Sequence, residues 1–283
     1  WLLVEATTGA SALLVAYSGT RGALQAGWKY LVLTTFGLAV AMLGIIVLYV
    51  AIAQGDGTLA TLDWTSVAHA APGLQDGPAV LAFVLIVAGL ATKVGWAPVH
   101  HWLPDAHSEA PPAVSALLSA ALLPTVVLVI WRVLVALGPA LAPGAASALI
   151  LAFGLVSLAV AVPFLWRPMA FKRLLAYSSL EHMGVLAVGI GFATPLATAG
   201  VVVHVAGHAL AKALGFYAAG PLLRHAPRAH ERAVRGLAFA NPSTAGAVGV
   251  SLGALAAMPP SPLFVSELLI LLGGISAGET LVT

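Results

Sequence analysis

The chain has 283 residues, 60% of them apolar and 8% charged, where an ordinary globular domain carries roughly 25% charged residues, and its formal net charge is +2. This composition excludes a soluble enzyme and describes an all-α integral membrane protein with several spans. So small a charge, with no basic run interleaved with aromatics, excludes nucleic acid as a partner, and the absence of cysteine removes disulfides, thiolate metal sites and thiol catalysis.

Residue 1 is Trp rather than Met and lies inside an apolar run, and the chain stops just after another. It reads as an internal piece of a longer protein, in which no signal peptide is to be sought. At about 20 apolar residues per span, eight spans are expected, near 1–17, 29–53, 78–102, 113–137, 144–165, 173–193, 197–221 and 243–275.

The loops after the first, fifth and seventh spans carry Arg21, then Arg167, Lys172 and Arg173, then Arg224, Arg228, Arg232 and Arg235. Those after the second, fourth and sixth carry no lysine or arginine, and the longest, Gln54 to Gly77, has Asp56, Asp63 and Asp76 instead. Basic loops stay in the cytoplasm, so the piece starts and ends on the outer side, with Lys172 and Arg173 as ordinary inside anchors. Arg132, near the outer end of the fourth span, is placed to snorkel to the headgroups.

Two spans are broken by proline, at Gly95 to Pro98 and at Met258 to Pro262, and each carries an ionisable residue near its break, Lys93 or Glu267. Corresponding interrupted helices point to inverted repeats around a site near the midplane. The division falls near Pro139 to Gly144, giving a partial first repeat at 1–138 and a partial second at 139–283, each of about four spans. The polar stretch after the first break, with His100, His101, Asp105, His107 and Glu109, is expected to be a short loop that turns the chain back.

The ionisable residues within spans are Glu5, Lys93, Glu181, His182, His204, His208, Lys212 and Glu267. A charge at a helix centre costs about 2.5–3.5 kcal/mol on insertion scales, so such a set needs partners or water. Any one of them alone can be a structural contact between helices. His204, His208 and Lys212 stand four apart, hence on one helical stripe, and each can take or give a proton. Two histidines four apart also fit a metal, although Val205 replaces the glutamate of an HExxH site and a lysine one turn on would repel a cation. Glu5 and Lys93, of opposite sign on spans of the same direction, can form an ion pair that would switch the lysine's basicity. Lys29, at the cytoplasmic start of its span, is placed to snorkel to the interface, with proton entry as the alternative, and His100, His101, Asp105, His107 and Glu109 are either solvated loop residues or the mouth of a proton path.

KVGWAPVHHWLPDAHSEAPPAVSALLS from Lys93 resembles the signature of the antiporter-like proton-translocating subunits of respiratory complex I, membrane-bound hydrogenases and multisubunit sodium/proton antiporters. WLLVEATTGAS at Trp1, KRLLAYSSLEHMG at Lys172, HVAGHALAKALGFYAAG at His204 and MPPSPLFVSELLIL at Met258 extend the likeness over the whole piece. Within that family the wording is most like that of the hydrogenase-4 F subunits. The resemblance implies a fourteen-span fold with two inverted five-helix repeats, of which this piece holds spans five to twelve. It implies a switch pair at Glu5 and Lys93, a central relay at His182, His204, His208 and Lys212, and a terminal residue at Glu267. It also implies a non-catalytic subunit without a redox centre or cofactor, sitting beside other subunits of a redox-driven complex in a prokaryotic inner membrane. Two departures stand out. Pro124 occupies a place where the family commonly has a polar residue or lysine, and Ser261-Pro262 replaces a glycine in the last break. A sodium/proton antiporter subunit with no redox partner, or an intramembrane metal-dependent enzyme using His204 and His208, remains the alternative.

Overall fold

The computed structural model describes residues 1–56, 61–225 and 236–282, and their regular structure is helical throughout. Arg228, Arg232 and Arg235, counted above in a basic loop, lie outside the described residues.

Helix α1 (Leu2–Val15) closes through a 3-10 turn at Ala16–Ser18. In α2 (Arg21–Asp56) the Thr20 hydroxyl accepts from the Ala23 N–H at the start, a typical N-cap contact. At 36 residues α2 is about 54 Å long at 1.5 Å per residue, well beyond the roughly 30 Å of a hydrocarbon core. The following loop contains α3 (Trp64–Ala70), capped by Asp63, which accepts from the N–H groups of Thr65 and Ser66. Further bonds from the hydroxyls of Thr61, Thr65 and Ser66 join these, and together they hold the exposed Asp63 carboxyl well below the usual carboxylate range.

Helix α4 (Asp76–Val94) packs along α2 at very short range. A Cβ added to Gly89 would meet the Gly37 carbonyl at 2.4 Å and the Ala41 nitrogen at 2.5 Å, so only glycine lets these two backbones touch. The helix stops at Gly95, whose φ of +77° is left-handed. The chain resumes as α5 (Trp102–Glu109), then α6 (Pro112–Leu117), a π turn at Leu118–Leu122 and α7 (Leu123–Leu137). The π turn has a local cause. Pro124 has no N–H to give to the carbonyl four residues back and its ring crowds that carbonyl, so the helix widens there.

The second half comprises α8 (Ala145–Leu165), α9 (Phe171–Phe192), α10 (Pro195–His225), the single turn α11 (Leu237–Ala240), α12 (Pro242–Leu255) and α13 (Pro262–Val282). Helix α9 is buried on nearly every face, between α8, α10, α5 and α13. Large apolar side chains such as Phe36, Leu43, Leu210 and Leu271 point outward, the surface that lipid covers.

Among the described residues, six of the eight expected spans are helices long and apolar enough to cross a bilayer: Arg21–Gln54, Asp76–Val94, Pro112–Ala140, Ala145–Leu165, Phe171–Phe192 and Pro195–Arg224; at the first and last, Leu2–Ser18 and Pro262–Gly278 are shorter apolar helices. The chain is a multi-pass helical bundle with two interrupted helices. The last expected span, 243–275, is interrupted as its prolines require, with Ala256–Ser261 running as turns between α12 and α13. One expectation changes. The polar stretch expected as a loop is the amphipathic helix α5, with Trp102, Leu103, Ala106 and His107 on its buried face and Asp105, Ser108 and Glu109 turned outward.

Candidate functional site

Helix breaks free backbone groups, and the first break finds partners for them in both halves of the bundle. The Trp102 indole donates to the Thr92 carbonyl at 2.7 Å, the Trp96 indole to the Met183 carbonyl at 2.9 Å, and the Ala97 N–H to Ser157 Oγ at 3.0 Å. Trp96 and Trp102 are fully buried. The break is thus a built element pinned to α8 and α9.

Lys93, in the last turn before that break, is fully buried. Its Nζ donates to Thr8 Oγ1 at 2.7 Å and to the Tyr30 hydroxyl at 2.5 Å, and lies 4.8 Å from the centre of the Tyr30 ring. The Tyr30 hydroxyl also shares a 2.7 Å bond with Ser11 Oγ. The expected contact between Lys93 and Glu5 is not made. Thr8 lies one turn beyond Glu5 on the same face of α1, and its hydroxyl reaches the ammonium, while Glu5 Oε1 accepts from Thr35 Oγ1 at 2.9 Å and Oε2 is buried without a hydrogen bond among the described residues. Among those residues only neutral groups hydrogen-bond Lys93, and the Glu5 carboxylate stands one helical turn from Thr8.

Lys212, also fully buried, donates to the Leu175 carbonyl at 2.6 Å and to Ser178 Oγ. Ser119 on the π turn and Ser179 on α9 share a 2.8 Å hydrogen bond. Glu181, half-buried, lies within electrostatic reach of both Lys212 and Glu267.

His182, His204 and His208 meet where α9, α10 and α13 converge, all buried. His182 Nδ1 and His204 Nε2 are 3.1 Å apart, and His204 Nδ1 is 2.9 Å from Ser266 Oγ. Because Ser266 donates its own proton to the Leu263 carbonyl at 2.8 Å, the network assigns a proton to His204 Nδ1 and a lone pair to its Nε2, which accepts from His182 Nδ1. Glu267 Oε1 is 4.0 Å from His182 Nδ1. Among the described residues, neither nitrogen of His208 nor His182 Nε2 makes a hydrogen bond of good geometry, although His208 lies against the Ser119 carbonyl and His182 against the Leu255 carbonyl.

At the end of the bundle that holds α5, Asp105 Oδ2 is 2.8 Å from Lys29 Nζ and Asp105 Oδ1 is 3.5 Å from Arg173 Nη2, all three partly exposed. His101 and Glu109 are exposed as well, with Glu109 against Gly22 of α2. His107 is not at this surface. It is fully buried on the inner face of α5, stacked 5.3 Å from the Phe216 ring, near enough to Lys212 and Lys172 to feel both charges, and neither of its nitrogens is hydrogen-bonded among the described residues. Lys172 likewise is no surface anchor. It is buried and caps the C-terminus of α5 by donating to the carbonyls of Ser108, at 2.9 Å, and Ala110. At the opposite end, Arg132 stacks 5.1 Å from the Trp64 ring.

The neutral groups of the line, Thr8, Ser11, Tyr30, Ser119, Ser178, Ser179 and Ser266, were missed by the sequence reading. Their signal was spacing: Thr8 stands three residues after Glu5 and Ser178 four before His182. An apolar span carrying a hydroxyl one turn from an ionisable group marks a buried polar face.

The whole chain, residues 1–283, matches the family model described as NADH:quinone oxidoreductase/Mrp antiporter, TM. It is 33% identical over 273 residues to the hydrogenase-4 component F homolog of Methylacidiphilum infernorum, covering 96% of this chain and 57% of that protein. To NADH-quinone oxidoreductase subunit N of Desulforudis audaxviator it is 31% identical over 287 residues, covering 98% of this chain and 54% of that one. The chain therefore spans about half the length of these relatives. Respiratory complex I from Thermus thermophilus contains a chain with the same fold, at a TM-score of 0.85 and 24% identity over 99% of this chain and 58% of that one. On this evidence the chain belongs to the NADH:quinone oxidoreductase/Mrp antiporter transmembrane family.

Proposed function

We propose that this chain is the proton-translocating core of a membrane subunit in a redox-driven complex of the hydrogenase or NADH-quinone oxidoreductase type, seated with other membrane subunits in a prokaryotic plasma membrane. One observation carries this reading. Two fully buried lysines, Lys93 and Lys212, are held among the described residues by neutral hydroxyls and a carbonyl, and three buried histidines lead from the second lysine to Glu267. A cation held without a direct counter-charge is one whose proton can leave, and an imidazole with a free nitrogen can receive it.

In this proposal protons enter from the cytoplasmic face marked by Lys29, Asp105, Arg173, His101 and Glu109 and dwell on Lys93. They cross to Lys212, move through His208, His204 and His182, and leave through Glu267. His107 serves as an internal relay toward Lys212 rather than as part of the mouth. Residues 1–138 and 139–283 act as two inverted half-channels, each with one interrupted helix. The proton is the carried ion because the line is made of nitrogens and hydroxyls that exchange protons. Glu5, one turn from Thr8, sets the charge state of Lys93 when a neighbouring oxidoreductase module moves it.

The experiment is proton transport by the intact complex in sealed vesicles with Lys93→Ala. The expected outcome is a normally assembled complex that builds no proton gradient. A gradient of wild-type size in that variant refutes the route.

A further inference from the structure

We propose that His182, His204 and His208 form a binding site for a divalent transition-metal ion of the zinc class, and that the bound ion blocks proton transfer through the cluster. One ring nitrogen from each histidine lies within 4.8 Å of the other two. Two of these nitrogens, His182 Nδ1 and His204 Nε2, are already 3.1 Å apart, close to the about 3.3 Å that separates two nitrogens on a tetrahedral ion with metal–nitrogen bonds of about 2.0–2.1 Å. A rotation of His208, whose nitrogens make no hydrogen bond of good geometry and lie against only the Ser119 carbonyl, brings in the third donor.

The surroundings favour the same ion. Ser266 fixes the His204 ring by accepting from Nδ1, leaving the Nε2 lone pair aimed at the centre of the cluster, which is how metal-binding histidines are oriented by their neighbours. Glu267, from α13, stands 4.0 Å from His182 Nδ1 and is placed to supply a fourth, negatively charged donor. The obvious objection is Lys212, one turn beyond His208. Its ammonium, however, is drawn onto α9 by Leu175 and Ser178, and the carboxylates of Glu181 and Glu267 share the same field. Three neutral imidazoles and a carboxylate are a set that zinc, cobalt and copper ions bind well. Binding would displace the proton held between His182 and His204 and put in its place an ion that does not hop.

The block rests on the proton route proposed above; the binding does not. The test uses the intact complex and Co(II) as the probe. One cobalt ion per subunit is expected, with the intense visible absorption of a four-coordinate site, displaced by Zn(II). His208→Ala should abolish that absorption, and the volume-keeping His208→Gln does the same where the alanine variant fails to assemble. Glu267→Gln should keep a cobalt spectrum while weakening affinity roughly 10–100-fold. In sealed vesicles of the wild-type complex, Zn(II) should stop proton transport over the concentration range in which it displaces cobalt. No stoichiometric cobalt in the wild-type complex, or an unchanged spectrum in both His208 variants, overturns the site. Zinc bound with transport undiminished overturns the block and leaves the site standing.

Discussion

The two interrupted helices differ most in what answers the acid that follows each break. After the first, Asp105 is committed to two cations, Lys29 and Arg173, from α2 and α9, and the break itself is tied into the second half by Trp96 and Ala97. After the second, Glu267 has, among the described residues, a histidine at 4.0 Å and the Glu181 carboxylate within electrostatic reach, and the exposed turn before it is closed by its own backbone, with Met258 N–H donating to the Gly253 carbonyl and Ser261 N–H to the Met258 carbonyl. The difference separates two jobs. Asp105 is a fixed charge that clamps α5 between the halves, whereas Glu267, with no lysine or arginine partner among the described residues, fits the exchangeable group that the proposed route requires.

Breaking the first tie should have the largest effect. Trp96→Ala removes a fully buried indole and its bond to Met183, a change expected to cost about 3–5 kcal/mol; lower thermal stability of the purified complex and poor assembly would show it. Next comes the second acid. Glu267→Gln keeps the shape but cannot carry a proton, and a fall in transport of roughly tenfold or more is expected with assembly intact. By contrast, Asp105→Asn loosens partly exposed ion pairs, each worth about 0.2–1 kcal/mol at most. It should lower transport only in part, and raising the ionic strength should weaken the wild-type protein toward the same level.

The smallest effect belongs to the opposite end of the bundle. Asp63→Ala should fray α3, seen as faster amide exchange at Thr65 and Ser66, and leave transport unchanged. The pH dependence follows in sign. The Asp63 carboxyl is held below its ordinary value in the fold, so the cap is fully present above the usual carboxylate range. It is lost only as pH falls well below that range, protonating the carboxylate. A cap that melts at higher pH would contradict this.

Much of this was legible in the sequence because membrane spans and proline breaks leave local marks. Apolar runs gave the spans, and Pro98 and the prolines from Pro259 to Pro262 gave the breaks. The burial of His107 and Lys172 was hidden because α5 is short, polar and rich in proline neighbours. Its inner face, Trp102, Leu103, Ala106 and His107, becomes visible only once the segment is known to be helical. The partners of Lys93 were hidden for another reason: which hydroxyl reaches an ammonium first depends on how α1, α2 and α4 pack, and Thr8 and Tyr30 are 85 and 63 residues away in sequence. The π turn was readable in principle, since Pro124 inside a long apolar run must disturb the ladder of hydrogen bonds.

The central claim is one continuous proton route through both halves, and it is tested most directly by comparing Lys93→Ala with Lys212→Ala for vectorial proton transport in sealed vesicles of the assembled complex. The account predicts that either change alone brings transport to background, because the lysines stand in series. If each variant instead keeps about half of the wild-type rate, the halves work in parallel and the account is contradicted.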